Sequence, residues 1–273
     1  MVLSIMGEAW KKKFSFDEMK DFLELKYEQF NNPGFIQNDP IAIPHQYTLR
    51  QDIEISGFLT ATIAWGRRDL IVNSAKKLMN LMGESPLDFI MNLEEKGLER
   101  LNSFYYRTFN GNDCCTFIRG LKNIYSAHDN MEDIAAASLE KGESWKEAVM
   151  SLRNEFFKIP HNRRTLKHFA DIERGAAGKR LNMFFRWMVR DDGRGVDFGI
   201  WKRIDKAALY IPLDFHTGNI SRKLGLLERN QDDWKAVEEL TSVLRQFDPE
   251  DPVKYDFSLF GLGIIEKFND GLF

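Results

Sequence analysis

Gln51-Asp-Ile-Glu-Ile-Ser-Gly-Phe-Leu-Thr-Ala-Thr-Ile-Ala-Trp-Gly66 is the stretch that decides the fold. Ile53, Ile55, Phe58, Leu59, Thr62, Ile63 and Trp65 make a helix over 51–66 that is apolar nearly all round. A helix of that kind belongs in the middle of a body built from other helices. Working outward, helical spacing recurs almost everywhere. Phe16, Met19, Phe22, Leu23, Tyr27 and Phe30 fall three or four apart over 15–30, with Asp17 and Glu18 in the first turn. The intervening 31–50 holds Pro33, Gly34, Pro40 and Pro44 and reads as irregular. A helix over 69–82 follows, and Ser85-Pro86 starts another.

Further helices are expected over 112–126, 131–140, 144–157, 178–190, 199–209, 215–225, 232–247 and 252–266. Ser144 with Glu147 matches a capping box, and Asp232 is placed to cap the helix that contains Trp234. Runs with clean alternation are missing, so strands should be few or absent. The expected fold class is all-α. No repeat or composition break divides the chain, so residues 1–273 read as one unit. Its most economical form is two-lobed, with a cleft between the lobes and a seam in the polar, proline-containing stretch 158–176.

Composition narrows the function. The 273 residues carry 38 basic and 41 acidic side chains, a net −3, which gives no sign of a wholesale polyanion binder. With 22 Phe, 7 Tyr and 6 Trp to bury, disorder is excluded as a main theme. Two cysteines cannot build a disulfide scaffold, and Cys114 and Cys115 are sequence neighbours, which points to reduced thiols in a cytoplasmic protein. They also cannot supply a four-cysteine zinc or iron–sulfur site. The apolar N-terminal segment is short and precedes Lys11, Lys12 and Lys13, the wrong order for a signal peptide. No apolar run approaches the roughly 20 residues that a membrane helix needs.

The charge is unevenly distributed. Residues 158–190 hold nine lysines and arginines against Asp171 and Glu173, a local +7, which leaves −10 for the rest. A protein that meets a nucleic-acid backbone on one face would carry its charge this way. A solvated helix face paired with acidic neighbours would carry it too.

Two segments in and beyond this window carry chemistry. Gly175-Ala-Ala-Gly-Lys-Arg-Leu-Asn-Met-Phe-Phe-Arg-Trp-Met-Val-Arg190 opens a helix with a glycine turn. Exposed amides at such a turn cradle phosphate. Lys179 in its first turn meets the positive end of the helix dipole and the charge of Arg180, surroundings that favour the neutral amine a nucleophile needs. A plain surface lysine would look the same. The spacing is not that of a nucleotide P-loop. The second segment, Ile211-Pro-Leu-Asp-Phe-His-Thr-Gly-Asn-Ile-Ser-Arg-Lys-Leu-Gly-Leu226, places Asp214 to cap a helix that starts at 215.

Together these segments resemble the helix–hairpin–helix DNA glycosylase superfamily. Lys179-x-x-Asn182 is similar to its catalytic lysine with an asparagine one turn on. Pro212-Leu-Asp214-Phe-His216 with Arg222-Lys-Leu-Gly-Leu226 is similar to its catalytic-aspartate segment. Phe247 to Gly263 resembles the closing helix, so the motifs cover about 175–263. The 35-residue gap from Lys179 to Asp214 is similar to that of archaeal-type oxoguanine glycosylases. Gly175-Ala-Ala-Gly178 replaces the usual Leu-Pro-Gly-x-Gly hairpin, and Asn219 stands where many members have arginine. Taken whole, the chain looks most like a bacterial family of unknown function near this superfamily.

The resemblance implies a two-lobed helical body that bends damaged double-stranded DNA and flips a base into the interlobe cleft. Lys179 would attack the sugar of a damaged nucleotide, oxidised guanine being the lesion the resemblance suggests, and form a Schiff base open to strand cleavage, while Asp214 would stabilise the developing charge, with no cofactor and no metal. Arg180, Asn182, Arg186, His216, Arg222 and Lys223 would contact DNA. Trp65, Phe185 or Trp187 would stack on the base, although aromatics at helical spacing usually pack in cores. Two other functions stay open: a noncatalytic nucleic-acid-binding protein of the same fold, and a helical interaction protein whose basic stretch meets an acidic partner.

Overall fold

The computed structural model describes residue 11 and residues 14–266. The remaining N-terminal residues, with Lys12 and Lys13, lie outside the described residues. Helix dominates. Helix α1 (Phe16–Phe30) starts at a Ser15–Glu18 capping box. Three 3-10 turns, Pro33–Asn38, Pro40–Ala42 and Pro44–Gln46, fill the proline-rich connection, because each proline fits the first turn of a short helix. Then come α2 (Arg50–Thr62), α3 (Arg68–Met82), α4 (Pro86–Met91) and α5 (Glu95–Asn102). A small antiparallel hairpin pairs β1 (Tyr105–Tyr106) with β2 (Phe109–Asn110). Helices α6 (Gly111–Ala127), α7 (Glu132–Glu140) and α8 (Trp145–Phe156) follow. After a 3-10 turn at Arg163–His168 come α9 (Lys179–Val189), α10 (Phe215–Leu224), α11 (Trp234–Phe247) and α12 (Tyr255–Ile264).

The expectation for α2 holds: every residue from Asp52 to Thr62 is buried. Phe58 on α2 meets Phe117, Phe156, Phe169 and Phe184 at ring-centre distances of 5.4–5.9 Å. Gly57 lets α2 approach α9, since a Cβ there would stand 3.0 Å from Met188 Cε. Burying α2 on all sides also buries Glu54. It accepts from Tyr125 Oη, Met131 N (2.8 Å) and Trp201 Nε1 (2.5 Å), which satisfies its carboxylate.

Three local expectations need correction. The helix over 199–209 is absent except for a 3-10 turn at Lys206–Ala208. The segment instead passes the C-terminal end of α9 as irregular chain. Phe198 N and Trp201 N donate to Trp187 O and Met188 O, each at 2.8 Å, and Trp201 anchors on Glu54. Those contacts replace the hydrogen bonds a helix would form. Asp233, not Asp232, caps α11 by accepting from Ala236 N (3.1 Å); Asp232 turns to Arg222. Helix α5 and the hairpin carry no signal that the helical pattern picked out.

What matters for the site is how α9, α10 and α12 are held. Arg186 and Arg190, on the inner face of α9, enter one buried ion network. Arg186 pairs with Asp197 (3.3 Å) and Asp256; Arg190 pairs with Asp197 (3.0 Å), Asp251 (2.9 Å) and Asp192 (2.9 Å). The network ties α9 to α12 and, through Tyr27, to α1. Breaking a buried pair of this kind costs about 3–5 kcal/mol, because the abandoned charge stays buried.

Candidate active site

The N-termini of α9 and α10 meet at one cavity. Gly178 is the N-cap of α9 in the left-handed region (φ 64°), so Lys179 is the first residue of that helix. Pro212 and Leu213 are buried just before Asp214, which caps α10. Asp214 Oδ1 accepts from His216 N (2.9 Å) and Thr217 N (3.0 Å). Capping uses one oxygen and leaves the other to face Lys179. Lys179 Nζ stands 3.6 Å from Asp214 Oδ2, and both side chains keep about a quarter of their surface, 28% and 23%. The two form an ion pair at two helix starts, partly open to solvent.

The pair stands at the wall of a cavity of about 670 Å³, within the roughly 300–1,000 Å³ range of small-molecule sites. Phe35, Trp65, Phe257 and Phe260 supply aromatic wall; Asp39, Arg68, Arg180, Arg186 and Asp256 supply charge. Burial pushes the Asp256 carboxyl up to about 6 against the pull of Arg186, and nearby Asp214 adds to the rise. Burial also raises the Asp39 carboxyl, opposed chiefly by Arg68. A second cleft of about 640 Å³ adjoins the first across Lys179 and Arg180. Arg153, Arg163, Lys167 and Arg174 line it, with Asp171 as its acidic member.

The sequence-derived DNA contacts separate on this geometry. Arg180 is at the site. It spans both cavities, its guanidinium lies 4.8 Å from the Trp65 ring centre, and it donates to Thr62 O. Desolvation lowers it to about 10. His216 is exposed and lines the larger cavity. Lys223 is exposed on α10. Arg186 lines the larger cavity, but only 4% of it is accessible and it is paired with Asp197 and Asp256. Asn182 is buried as well, with Nδ2 donating to Ile211 O (3.3 Å), so it braces the segment before Asp214. Arg222 is held by Asp232 (2.6 Å) and Arg229 O (2.8 Å), an intramolecular role. Of the three candidate stacking rings, Trp187 and Phe185 are fully buried core, while Trp65 is half-buried and lines the cavity.

Sequence reasoning passed over Asp39, Arg68 and Asp256, which reach the cavity from distant parts of the chain. It also did not single out Arg163 and Lys167. Both are exposed and, among the described residues, make no ion pair, whereas Arg164 is tied to buried Asp113 (2.7 Å) and Lys158 to Glu155 (2.6 Å). No cluster of metal-ligating side chains occurs among the described residues. No helix among them is long and apolar enough to cross a membrane. Cys114 and Cys115 are free and buried.

The chain is thus mostly helical, with a lysine–aspartate pair on a cavity wall. Residues 39–265 match the family described as "Protein of unknown function (DUF2400)", and the chain belongs to that family. No curated protein and no solved structure matches it.

Proposed function

We propose that this protein is a DNA glycosylase with abasic-site lyase activity, acting on damaged double-stranded DNA in the cytoplasm, on a two-lobed body of the helix–hairpin–helix type. The observation that carries the reading is the 3.6 Å approach of Lys179 Nζ to Asp214 Oδ2 beside a cavity with aromatic walls. An extruded nucleotide would enter that cavity, and the exposed cations Arg163 and Lys167 would meet the backbone outside it.

The chemistry follows from the pair. Lys179 Nζ, as free amine, attacks C1′ of the sugar. The glycosidic bond breaks, its electron pair leaves with the base, and the base takes up a proton. The Asp214 carboxylate stabilises the positive charge that develops at the sugar and relays the proton that the amine releases. The sugar ring then opens to a Schiff base. Loss of a C2′ proton expels the 3′ phosphate and cleaves the strand.

Borohydride trapping on duplexes carrying a panel of lesions tests this reading. Wild-type protein should form a covalent adduct, and Lys179→Gln should abolish it. Salt-sensitive DNA binding without trapping on any lesion would leave a noncatalytic nucleic-acid-binding protein. No affinity at low salt would leave a helical interaction protein.

A further inference from the structure

The larger cavity holds two guanidinium groups that the protein leaves nearly without acceptors. Arg68, the first residue of α3, makes no side-chain hydrogen bond among the described residues, and its Nη2 is buried without a partner. Its closest acidic group is Asp39, with Oδ2 3.9 Å from Nε, beyond hydrogen-bond reach. Asp39 Oδ1 is already taken by Ile41 N (3.1 Å), so Oδ2 is the oxygen that remains. The Arg68 guanidinium lies 4.5 Å from the Phe260 ring centre, and Phe35 meets that ring edge-on at 6.0 Å. Arg180, across the cavity, makes one hydrogen bond and no ion pair among the described residues. Each guanidinium carries five N–H donors. Donors left unmet in a partly buried site cost free energy that a ligand bearing acceptors would recover.

Two features select the ligand. Asp39, Asp214 and Asp256 share the cavity with Arg68, Lys179, Arg180 and Arg186, so its charges nearly balance and a phosphate would meet a carboxyl group beside most of the cations. Phe35, Trp65 and Phe260 offer faces and edges to a flat ring. A planar heterocycle with a carbonyl therefore fits better than an anion.

We propose that Arg68 and Asp39 are specificity-determining residues that read the edge of the extruded base, Arg68 donating to a ring carbonyl and Asp39 Oδ2 accepting from an adjacent ring N–H. The substrate class is then a base with a lactam edge, such as oxidised guanine, hypoxanthine or uracil. A carbonyl oxygen has two lone pairs for a guanidinium fork, where a ring nitrogen has one. Bases that present a ring nitrogen beside an amino group are the disfavoured class. The assignment rests on the glycosylase reading.

The test compares excision of a base with cleavage at a preformed abasic site, which has no base to read. Wild type, Arg68→Lys, Arg68→Gln, Asp39→Asn and Lys179→Gln are assayed on duplexes carrying oxidised guanine, hypoxanthine, uracil or an alkylated adenine, and on abasic duplex. Melting temperatures report whether each variant folds. Wild type should excise at least one lactam base and no alkylated adenine. The Arg68 and Asp39 variants should lower the ratio of excision to abasic cleavage by about tenfold or more, the scale of one good bidentate base contact. Lys179→Gln should lose both activities. A ratio unchanged in all the Arg68 and Asp39 variants, or excision by wild type of alkylated adenine alone, overturns the base-reading role and leaves the glycosylase reading standing. A wild type that excises none of these bases removes the glycosylase reading and the assignment with it, whether or not it cleaves abasic duplex.

Discussion

Lys179 and Asp214 were legible in the sequence because each is fixed by a local rule. A lysine after a glycine turn begins a helix, and an aspartate before one caps it. The burial of Arg186 and Asn182 was not legible, for a shared reason. One sequence cannot say which way a polar side chain on a buried helix points, and α9 turns both inward to partners contributed by residues 197, 211 and 256. Asp39 and Arg68 were invisible because their significance arises only where the chain folds back. The dual role of Asp214 gives a clean experiment. Asparagine caps about as well as aspartate, whereas alanine costs about 1 kcal/mol. Asp214→Asn should thus unfold in urea within about 0.5 kcal/mol of wild type, and Asp214→Ala about 1 kcal/mol below it. Both should lose glycosylase activity by about 100-fold or more, since each removes the carboxylate facing Lys179. An active Asp214→Asn would reduce Asp214 to a cap.

At the scale of elements, periodicity found the buried and amphipathic helices and lost the segment whose backbone hydrogen bonds go elsewhere. Residues 199–209 have helix-compatible composition, yet the amides of Gly199 and Trp201 go to the Trp187 and Met188 carbonyls of α9 and that of Arg203 goes to Glu132. Tertiary partners decided that segment, and pattern cannot see them. The glycine turn is the opposite case. Gly175 and Gly178 both adopt positive φ, 88° and 64°, but they differ in surroundings. A Cβ on Gly175 would meet nothing within 4 Å; one on Gly178 would stand 2.9 Å from Ile172 Cγ2, directly before Lys179. Gly175→Ala should cost about 1 kcal/mol, the left-handed penalty alone. Gly178→Ala should cost about 2 kcal/mol or more and also lower borohydride trapping, because relieving the clash moves the start of α9. Equal trapping by the two variants would separate the turn from the site.

For the whole molecule, the uneven charge count needs a different explanation from the one it first suggests. Part of the +7 in 158–190 neutralises buried carboxylates, through Arg164, Arg186 and Arg190. Arg163 and Lys167 stay exposed at the smaller cleft, and Lys179 and Arg180 stand at both cavities. The basic window is as much a clamp for the core as a face for a polyanion. The cost of a core that admits charge shows in Glu54. Burial pushes it up to about 7 from an ordinary 4.5, even though Tyr125, Met131 and Trp201 all donate to it. The folded state therefore binds this proton more tightly than the unfolded chain. Its stabilising contribution is complete below about pH 4.5 and is lost as pH rises through about 7. Asp256, raised to about 6, acts in the same direction. Asp192, lowered to about 2 by its bonds to Tyr27 and Arg190, acts oppositely, its contribution vanishing only as pH falls through that value. Between pH 5 and 8 the melting temperature should consequently fall as the solution becomes more alkaline. Glu54→Gln, neutral throughout, should flatten most of that slope, and Asp256→Asn the part near pH 6. A wild-type melting temperature that rises over this interval would mean that Glu54 is ionised in the fold, with Arg50 and its three donors outweighing the burial.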